Sequence, residues 1–380
     1  MNMNRRLIIF SLVFIFFIAN IPKKAEAAVS MSVNAQSAIL MEQKSGRILF
    51  EKDAYTKRRI ASITKIMTAI LAIESGKMNQ YVTVSEQATR TEGSSVYLKP
   101  GEKIKLKDLV YGLMMRSGND AAVAIAEAVG GSVEGFVYMM NERAREIGML
   151  NTHFANPHGL DDSKNHYSTA YDMALLTRYA MDNKTYRQIA GTKEYRAPNP
   201  TENWDRIWKN KNRLLTMYRY TTGGKTGFTK LAKRTLVSTA AKGDMSLIAV
   251  TLNDPDDWND HIAMYENGFK NFDMAEVLPK GDIDTGKKNS YNGRLYLKKA
   301  YDYPATAKEM DLFRVEYRLK KPPLAKTETV AGKAMIFLDD KLIDEEPIYF
   351  QSKQPRKERK GLFSFMKEMF LAILGVKTDG

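Results

Sequence analysis

The feature that most restricts how this chain can fold is the stretch from Leu106 to Glu127, which is long, apolar and interrupted only at Ser117-Gly118-Asn119. A helical run that is apolar over so much of its length has to be enclosed. The composition supports enclosure by protein: hydrophobic residues make up 44% of the 380 and charged residues 27%, an ordinary balance for a chain with a substantial core. The length suggests two domains. Three polar or flexible residues inside such a run cost helix stability. Either something outside the helix uses them, or they mark a helix-to-helix turn before Asp120.

Around that stretch the patterning is mixed. Ser37–Met41 and Arg47–Phe50, with Ser45-Gly46 between them, read as a hairpin. Ile63, Ile66, Met67, Ile70, Leu71 and Ile73 have helical spacing, and further helices are expected over Gly135–Ile147 and Ala170–Met181. Thr235–Thr239 and Ser246–Thr251 read as strands joined across Lys242-Gly243-Asp244. Strands at both ends with helices between them predict one α+β unit over 28–275, its sheet completed by distant segments. From about residue 276 the pieces become short, alternating and strand-like, as in Ala334–Leu338 and Lys341–Ile343 turning at Asp339-Asp340. A small all-β domain is expected over 276–350, and it contains no constellation of catalytic residues.

The two ends differ from both regions. Residues 1–27 have the form of an export signal: Arg5 and Arg6, an apolar run from Leu7 to Ile18 with only Ser11 polar, and Ala25-Glu26-Ala27 for cleavage. The run is short for a membrane span, which needs roughly 20 residues. Cleavage after Ala27 lowers the formal charge from +14 to +11. In 351–380, Lys353, Arg356, Lys357, Arg359 and Lys360 precede Leu362, Phe365, Met366, Met369, Phe370, Ile373 and Leu374, which recur at three- and four-residue steps. Such a helix suits lying on an anionic membrane surface; the alternative is packing on the protein's own core.

The chain has no cysteine, which excludes disulfide scaffolds, thiolate metal sites and cysteine nucleophiles. With four histidines, catalysis has to rest mainly on hydroxyls, amines, amides and carboxylates. His153, His158 and His166 are close in sequence but lack an H-E-x-x-H arrangement, so neither a metal nor an organic cofactor is implied. Basic residues outnumber acidic ones by 58 to 44 without an aromatic-interleaved basic stripe, and nucleic-acid binding is not expected. Asp254-Pro255-Asp256-Asp257 reads as a solvated turn.

Three short clusters carry the chemistry. Ser62-Ile63-Thr64-Lys65 places a serine hydroxyl at the mouth of the Ile63–Ile73 helix, near the positive end of its dipole, with Lys65 one turn later on the same face. A desolvated amine there lowers the cost of deprotonating a hydroxyl that is otherwise a poor nucleophile. Taken alone, the tetrapeptide is equally an ordinary N-cap and a common helix residue. Ser117-Gly118-Asn119 supplies a hydroxyl suited to proton relay and an amide suited to a substrate carbonyl. In Lys225-Thr226-Gly227-Phe228-Thr229, Lys225 and Thr226 would project from a strand edge toward an anionic group, with Gly227 admitting a ligand close to the backbone; the plain alternative is a glycine-rich turn.

In this order, with 55 residues from Ser62 to Ser117 and 106 from Asn119 to Lys225, the clusters form the S-x-x-K, S-x-N and K-T-G set of penicillin-interacting serine enzymes. The phrases Arg58–Thr68, Met115–Ala122, Asn156–Leu160 and His166–Met173 extend the likeness. The chain resembles the serine-type D-Ala-D-Ala carboxypeptidases, the low-molecular-mass penicillin-binding proteins, from about Gln36 to the terminal amphipathic helix. Lys225–Thr235 and Thr91–Leu98 are most similar to the sporulation-type enzyme of endospore formers. The resemblance implies an α+β, transpeptidase/β-lactamase-like domain, an antiparallel sheet with helices and a helical subdomain, before the β-domain. It implies that Ser62 is the nucleophile, Lys65 the general base, Ser117 a proton relay and Asn119 an orienting amide. Lys225 and Thr226 would hold the substrate carboxylate, Gly227 would belong to the same substrate-binding strand, and the backbone N–H groups of Ser62 and Phe228 would form the oxyanion hole. Peptidoglycan stem peptides are the implied substrates and β-lactams the covalent inhibitors, with action at the outer face of the cytoplasmic membrane. No E-x-x-L-N lies between Asn119 and Lys225, which argues against a class A β-lactamase. A D,D-endopeptidase or transpeptidase, and a catalytically silent β-lactam sensor or peptidoglycan binder, stay open at this point.

Overall fold

A computed structural model of the chain describes residues 31–199, 202–284, 293–321 and 329–352. The expected export signal and terminal amphipathic helix lie outside them. The chain divides into two units between Phe269 and Lys270.

The first unit is built on five antiparallel strands: β1 (Ser37–Glu42), β2 (Ile48–Lys52), β3 (Thr221–Thr229), β4 (Lys233–Lys242) and β5 (Met245–Leu252), in the order β2-β1-β5-β4-β3. β1 pairs along its whole length with β5, from Ser37 opposite Leu252 to Glu42 opposite Leu247. The sheet is therefore completed by segments some two hundred residues apart, and the helices between them pack in and around it. The longer ones are α1 (Lys65–Glu74), α2 (Leu106–Arg116), α3 (Asn119–Gly130), α4 (Val133–Glu146), α5 (Ala170–Asp182), α6 (Lys184–Gly191) and, after the sheet, α7 (Asp257–Asn271).

Every residue of α1 from Lys65 to Ile73 is buried, the behaviour of a helix that is apolar all round. The apolar stretch at 106–127 becomes two helices, α2 and α3, joined at Ser117-Gly118. Leu109, Leu113, Ala122 and Ile125 from this pair enter the same core cluster as Ile66 and Ile70 of α1. The break is a turn, as one reading had it, and Asn119 just after it also meets Lys65 at the start of α1.

α7 was not anticipated from the sequence. It buries His261, Met264, Tyr265 and Gly268 along one face. Gly268 lets it approach the sheet, since a Cβ there would lie 2.8 Å from a Leu247 methyl and 2.9 Å from one of Leu40. The expected solvated turn at Asp254–Asp257 is instead largely internal: Asp254 and Asp257 are buried. The Asp254 side chain accepts the N–H of Asp256, and Arg234 donates to Asp257 at 2.5 Å, so the acids anchor the entry to α7. Alternation alone could not show that a cation from β4 reaches them.

The second unit, from Lys270, is strand-rich and begins slightly before residue 276. β6 (Asp273–Leu278) pairs with β9 (Tyr301–Ala305). A second sheet contains β7 (Gly281–Asp282), β8 (Gly293–Leu297), β10 (Phe313–Leu319), β11 (Thr329–Leu338) and β12 (Lys341–Ser352), ordered β7-β8-β12-β11-β10. Leu278, Leu295, Leu297, Ile336, Ile348 and Phe350 form its own core.

Candidate active site

Ser62 does not begin the α-helix, as its spacing suggested. It lies in a 3-10 turn, Ala61–Thr64, directly before α1. In 3-10 geometry residues i and i+3 eclipse, and Lys65 Nζ accordingly sits 3.0 Å from Ser62 Oγ. The turn is strained, with Ala61 at φ 49°, and it is held from two sides. Thr235 of β4 donates to the Ile60 carbonyl at 3.0 Å. On the other side Gly159, at φ +86°, fits so closely that a Cβ would fall 1.9 Å from the Ala61 carbonyl oxygen.

The Lys65 amine is fully buried and has three neighbours: Ser62 Oγ at 3.0 Å, Asn119 Oδ1 at 2.7 Å and the His158 carbonyl oxygen at 2.6 Å. Burial, and then the positive charges of Lys225 and Lys211, hold its pKa well below the usual lysine value. A neutral amine has two N–H donors and one lone pair. Two of its neighbours can only accept, so in the neutral form both donors would be committed to them and the lone pair left for the Ser62 hydroxyl. Asn119 is oriented to make this so: its Nδ2 donates to the Glu92 carbonyl at 2.6 Å, which turns Oδ1 toward Lys65.

Ser117 ends α2 in a left-handed conformation, φ 64°, and places its Oγ 3.1 Å from Lys225 Nζ. Lys225, also buried, donates to the Thr226 carbonyl at 2.6 Å. Burial, reinforced by Lys211, lowers its pKa to about 7. β3, which carries Lys225, is an edge strand paired with β4 alone among the described residues, so its free edge offers backbone groups to an extended ligand. Thr226 and Phe228 lie on the accessible stretch of that strand. Gly227 brings it against the nucleophile, since a Cβ there would lie 2.9 Å from the Ser62 backbone nitrogen.

The structure thus gathers Ser62, Lys65, Ser117, Asn119, Lys225 and Gly227 in one place, from the 3-10 turn, the α2–α3 junction and an edge strand. It also adds groups that sequence reasoning did not single out. Lys211 Nζ donates to Ser94 Oγ at 3.1 Å and acts electrostatically on both buried lysines. The Glu92 and His158 carbonyls aim Asn119 and Lys65. Asp120 accepts from Ser95 Oγ at 2.6 Å and from the Val96 and Leu98 N–H groups, fixing the loop that supplies Glu92. No local pattern marks Lys211 among the many lysines, and carbonyl groups leave no signature in sequence.

The histidines act as hydrogen-bonding rings. His166 bridges Thr64 Oγ1 at 2.8 Å and the Ala155 N–H, and His158 Nδ1 accepts from the Leu160 N–H. Burial lowers both to a pKa of about 3, so both are neutral. Among the described residues no group of three or more His, Asp or Glu could hold a metal ion.

A hydroxyl 3.0 Å from a buried amine, a second hydroxyl on a second buried lysine, and an edge strand against the backbone of the first serine suit acyl transfer through serine. Comparison with known proteins points the same way. The family model described as D-alanyl-D-alanine carboxypeptidase matches residues 22–256. D-alanyl-D-alanine carboxypeptidase DacF of Bacillus subtilis is 32% identical over 350 residues, covering 88% of each chain. DacC of Escherichia coli, of the same description, is 34% identical over 361 residues, again covering 88% of each. Among solved structures, penicillin binding protein 5 from Haemophilus influenzae superposes with a TM-score of 0.73 at 28% identity, covering 86% of this chain and 99% of that one.

Proposed function

The chain belongs to the D-alanyl-D-alanine carboxypeptidase family, and from that premise we propose that Ser62 is its nucleophile and Lys65 the base that activates it. The protein is a serine peptidase that removes the terminal D-Ala from peptidoglycan stem peptides. The observation that carries the assignment of roles is the Lys65 amine: buried, 3.0 Å from Ser62 Oγ, with carbonyl-type acceptors at its two other neighbours and a pKa lowered by burial.

In the proposed reaction the terminal carboxylate of the peptide is held by Lys225 and Thr226, with the peptide backbone along the free edge of β3. Ser62 Oγ bonds to the carbonyl carbon between the two D-alanines while its proton passes to Lys65. The oxyanion is held by the N–H groups of Ser62 and Phe228, a reading supported by the closeness of β3 to the Ser62 backbone. The C–N bond then breaks, and the leaving amine takes a proton delivered from Lys65 through Ser117. Water then attacks the acyl carbon and gives its proton to Lys65, again neutral; the C–Oγ bond breaks, the shortened peptide leaves as a carboxylic acid that ionises, and Lys65 returns its proton to Ser62 Oγ. β-Lactams, which mimic the dipeptide, acylate the same oxygen.

The remaining assignments concern place. We read residues 1–27 as directing export and the basic, amphipathic 351–380 as attaching the protein to the outer face of the cytoplasmic membrane, with the strand-rich unit as a spacer. The likeness of Lys225–Thr235 and Thr91–Leu98 to the sporulation-type enzyme supports cell wall or spore cortex as the material acted on. Truncation after Pro355 is expected to release the protein from membranes, and unchanged partitioning would refute the anchor.

The chemistry is tested by labelled penicillin on wild type and Ser62→Ala, together with D-Ala release from a diacyl-lysyl-D-Ala-D-Ala peptide. Ser62-dependent labelling and D-Ala release are expected. Labelling without release points to a sensor or a different substrate, and labelling that survives Ser62→Ala removes the nucleophile assignment.

A further inference from the structure

The first unit has a groove of about 600 Å³ that contains none of the serine–lysine residues themselves. Its lining includes Tyr97, Arg116, Trp204, Ile207, Trp208 and Lys209. It adjoins the catalytic cluster at three points along the chain. Arg116 directly precedes Ser117; Ser95, on the wall, follows the Ser94 that Lys211 grips; Lys209 lies two residues before Lys211.

Two properties of the groove point to a ligand. The first is apolar surface left in water: Tyr97 is 82% exposed, Trp204 61% and Ile207 52%, above a buried Trp208. Tyr97 is also held in a left-handed conformation, φ 62°, with the N–H groups on either side of it fastened to Asp120. Loops that display a large ring under backbone strain are characteristic of binding sites.

The second property is charge. Arg206 is paired with Glu102 in a buried ion pair, and Lys99 with Glu202. Arg116 and Lys209 meet no carboxylate among the described residues; Arg116 makes only a long 3.4 Å bond to the Lys209 carbonyl. The uncompensated charge of the groove is therefore positive and sits beside its aromatic wall. Two cations in an apolar groove of this size fit one carboxylate on a partly apolar chain, not a polyanion.

Resting on the carboxypeptidase reading, we propose that this groove takes the amino-terminal arm of an acidic stem peptide. The arm lies across Trp204 and Tyr97, and a side-chain carboxylate pairs with Arg116, while the peptide's terminal carboxylate occupies the separate Lys225–Thr226 position. Arg116 is thus a specificity-determining residue: it selects stem peptides that carry a free acid upstream of the scissile bond.

The test compares two peptides ending in D-Ala-D-Ala that differ in one group, an upstream glutamyl residue and its glutaminyl counterpart, on the full chain. Wild type is expected to favour the acid about tenfold in kcat/KM, chiefly through KM, with the preference shrinking as salt is added. Arg116→Gln is expected to bring the ratio close to one, Arg116→Lys to restore part of it, and Trp204→Ala to raise KM for both long peptides. A wild-type ratio near one overturns the proposal. So does an Arg116→Gln variant that loses both peptides equally and is labelled slowly by penicillin, because Arg116 would then only support Ser117. Binding of the two peptides to Ser62→Ala separates this question from catalysis. Absence of D-Ala release with the binding preference intact counts against the carboxypeptidase chemistry and leaves the groove standing.

Discussion

Lys225→Met exchanges a buried amine for an apolar side chain of similar length, and its effect on stability depends on pH in a calculable way. In the unfolded chain the amine keeps its proton up to its ordinary pKa of 10.5, whereas in the folded protein it does so only up to about 7. Between those values the unfolded state binds more protons than the folded one, so this group makes wild type more stable as pH rises, by up to about 1.4 kcal/mol per unit. Below about pH 7 both states are protonated and the contribution is flat. From about pH 7 to about pH 9, allowing for half-titration at the start, wild type gains roughly 2 kcal/mol that the variant cannot gain. Other titrating groups are common to both proteins and cancel in the difference. Lys65 does not cancel fully, but losing Lys225 relieves its depressed pKa, which acts in the same direction. For a unit of this size the gain corresponds to a relative rise of roughly 4–8 °C in Tm. Calorimetric melts of both proteins across this range measure it directly. Parallel Tm curves would show that Lys225 stays protonated throughout, and that burial beside Lys211 does not perturb it as argued.

Three further outcomes are expected. If Lys65 and Lys225 have the proposed roles, the acylation rate with penicillin should fall on the acid side as Lys65 takes up a proton, and on the alkaline side as Lys225 loses the charge proposed to hold the carboxylate. Lys225→Met should lose the alkaline limb and keep the acid one. Gly159→Ala forces a Cβ to within 1.9 Å of the Ala61 carbonyl at φ +86°, so it should cost about 3 kcal/mol or more and slow labelling of Ser62, as read by urea midpoints and penicillin kinetics. His158, His166 and His261, each lowered to about 3, bind protons in the unfolded state first as pH drops below 6.5. Stability should therefore fall with acidification by up to roughly 4 kcal/mol per pH unit, partly offset by Asp254, whose raised pKa works the opposite way. His261→Gln should make that acid slope shallower by about 1.4 kcal/mol per unit.

Much of the fold was legible because its signals are local and periodic. The hairpin of β1 and β2, helices α1, α5 and most of α4, and the β4–β5 pair follow spacings of two or of three to four residues. α7 was not anticipated. Its buried face of His261, Met264, Tyr265 and Gly268 mixes a titratable ring and a glycine into the apolar stripe, which blurs the helical period. The acids before it were read as solvated because nothing near them in sequence reveals that Arg234, on β4, reaches Asp257. At the site, the residue types and their order were visible as three short clusters. The 3-10 start at Ser62 was not, since one hydroxyl before an apolar run looks the same whether the helix begins at that residue or three later.

Chemistry and family, then, could be read from the one-dimensional chain: a serine and a lysine three apart, a polar break in an apolar run, and a lysine before a glycine are all short-range statements. The protonation state of Lys65 could not. It depends on a helix packed on every side, on a carbonyl from residue 158, on an amide from residue 119 aimed by residue 92, and on two cations from residues 211 and 225. Desolvation and through-space charge act over a few ångströms whatever the sequence separation, so only the closed tertiary structure lowers the pKa of this lysine as the proposed role of base requires.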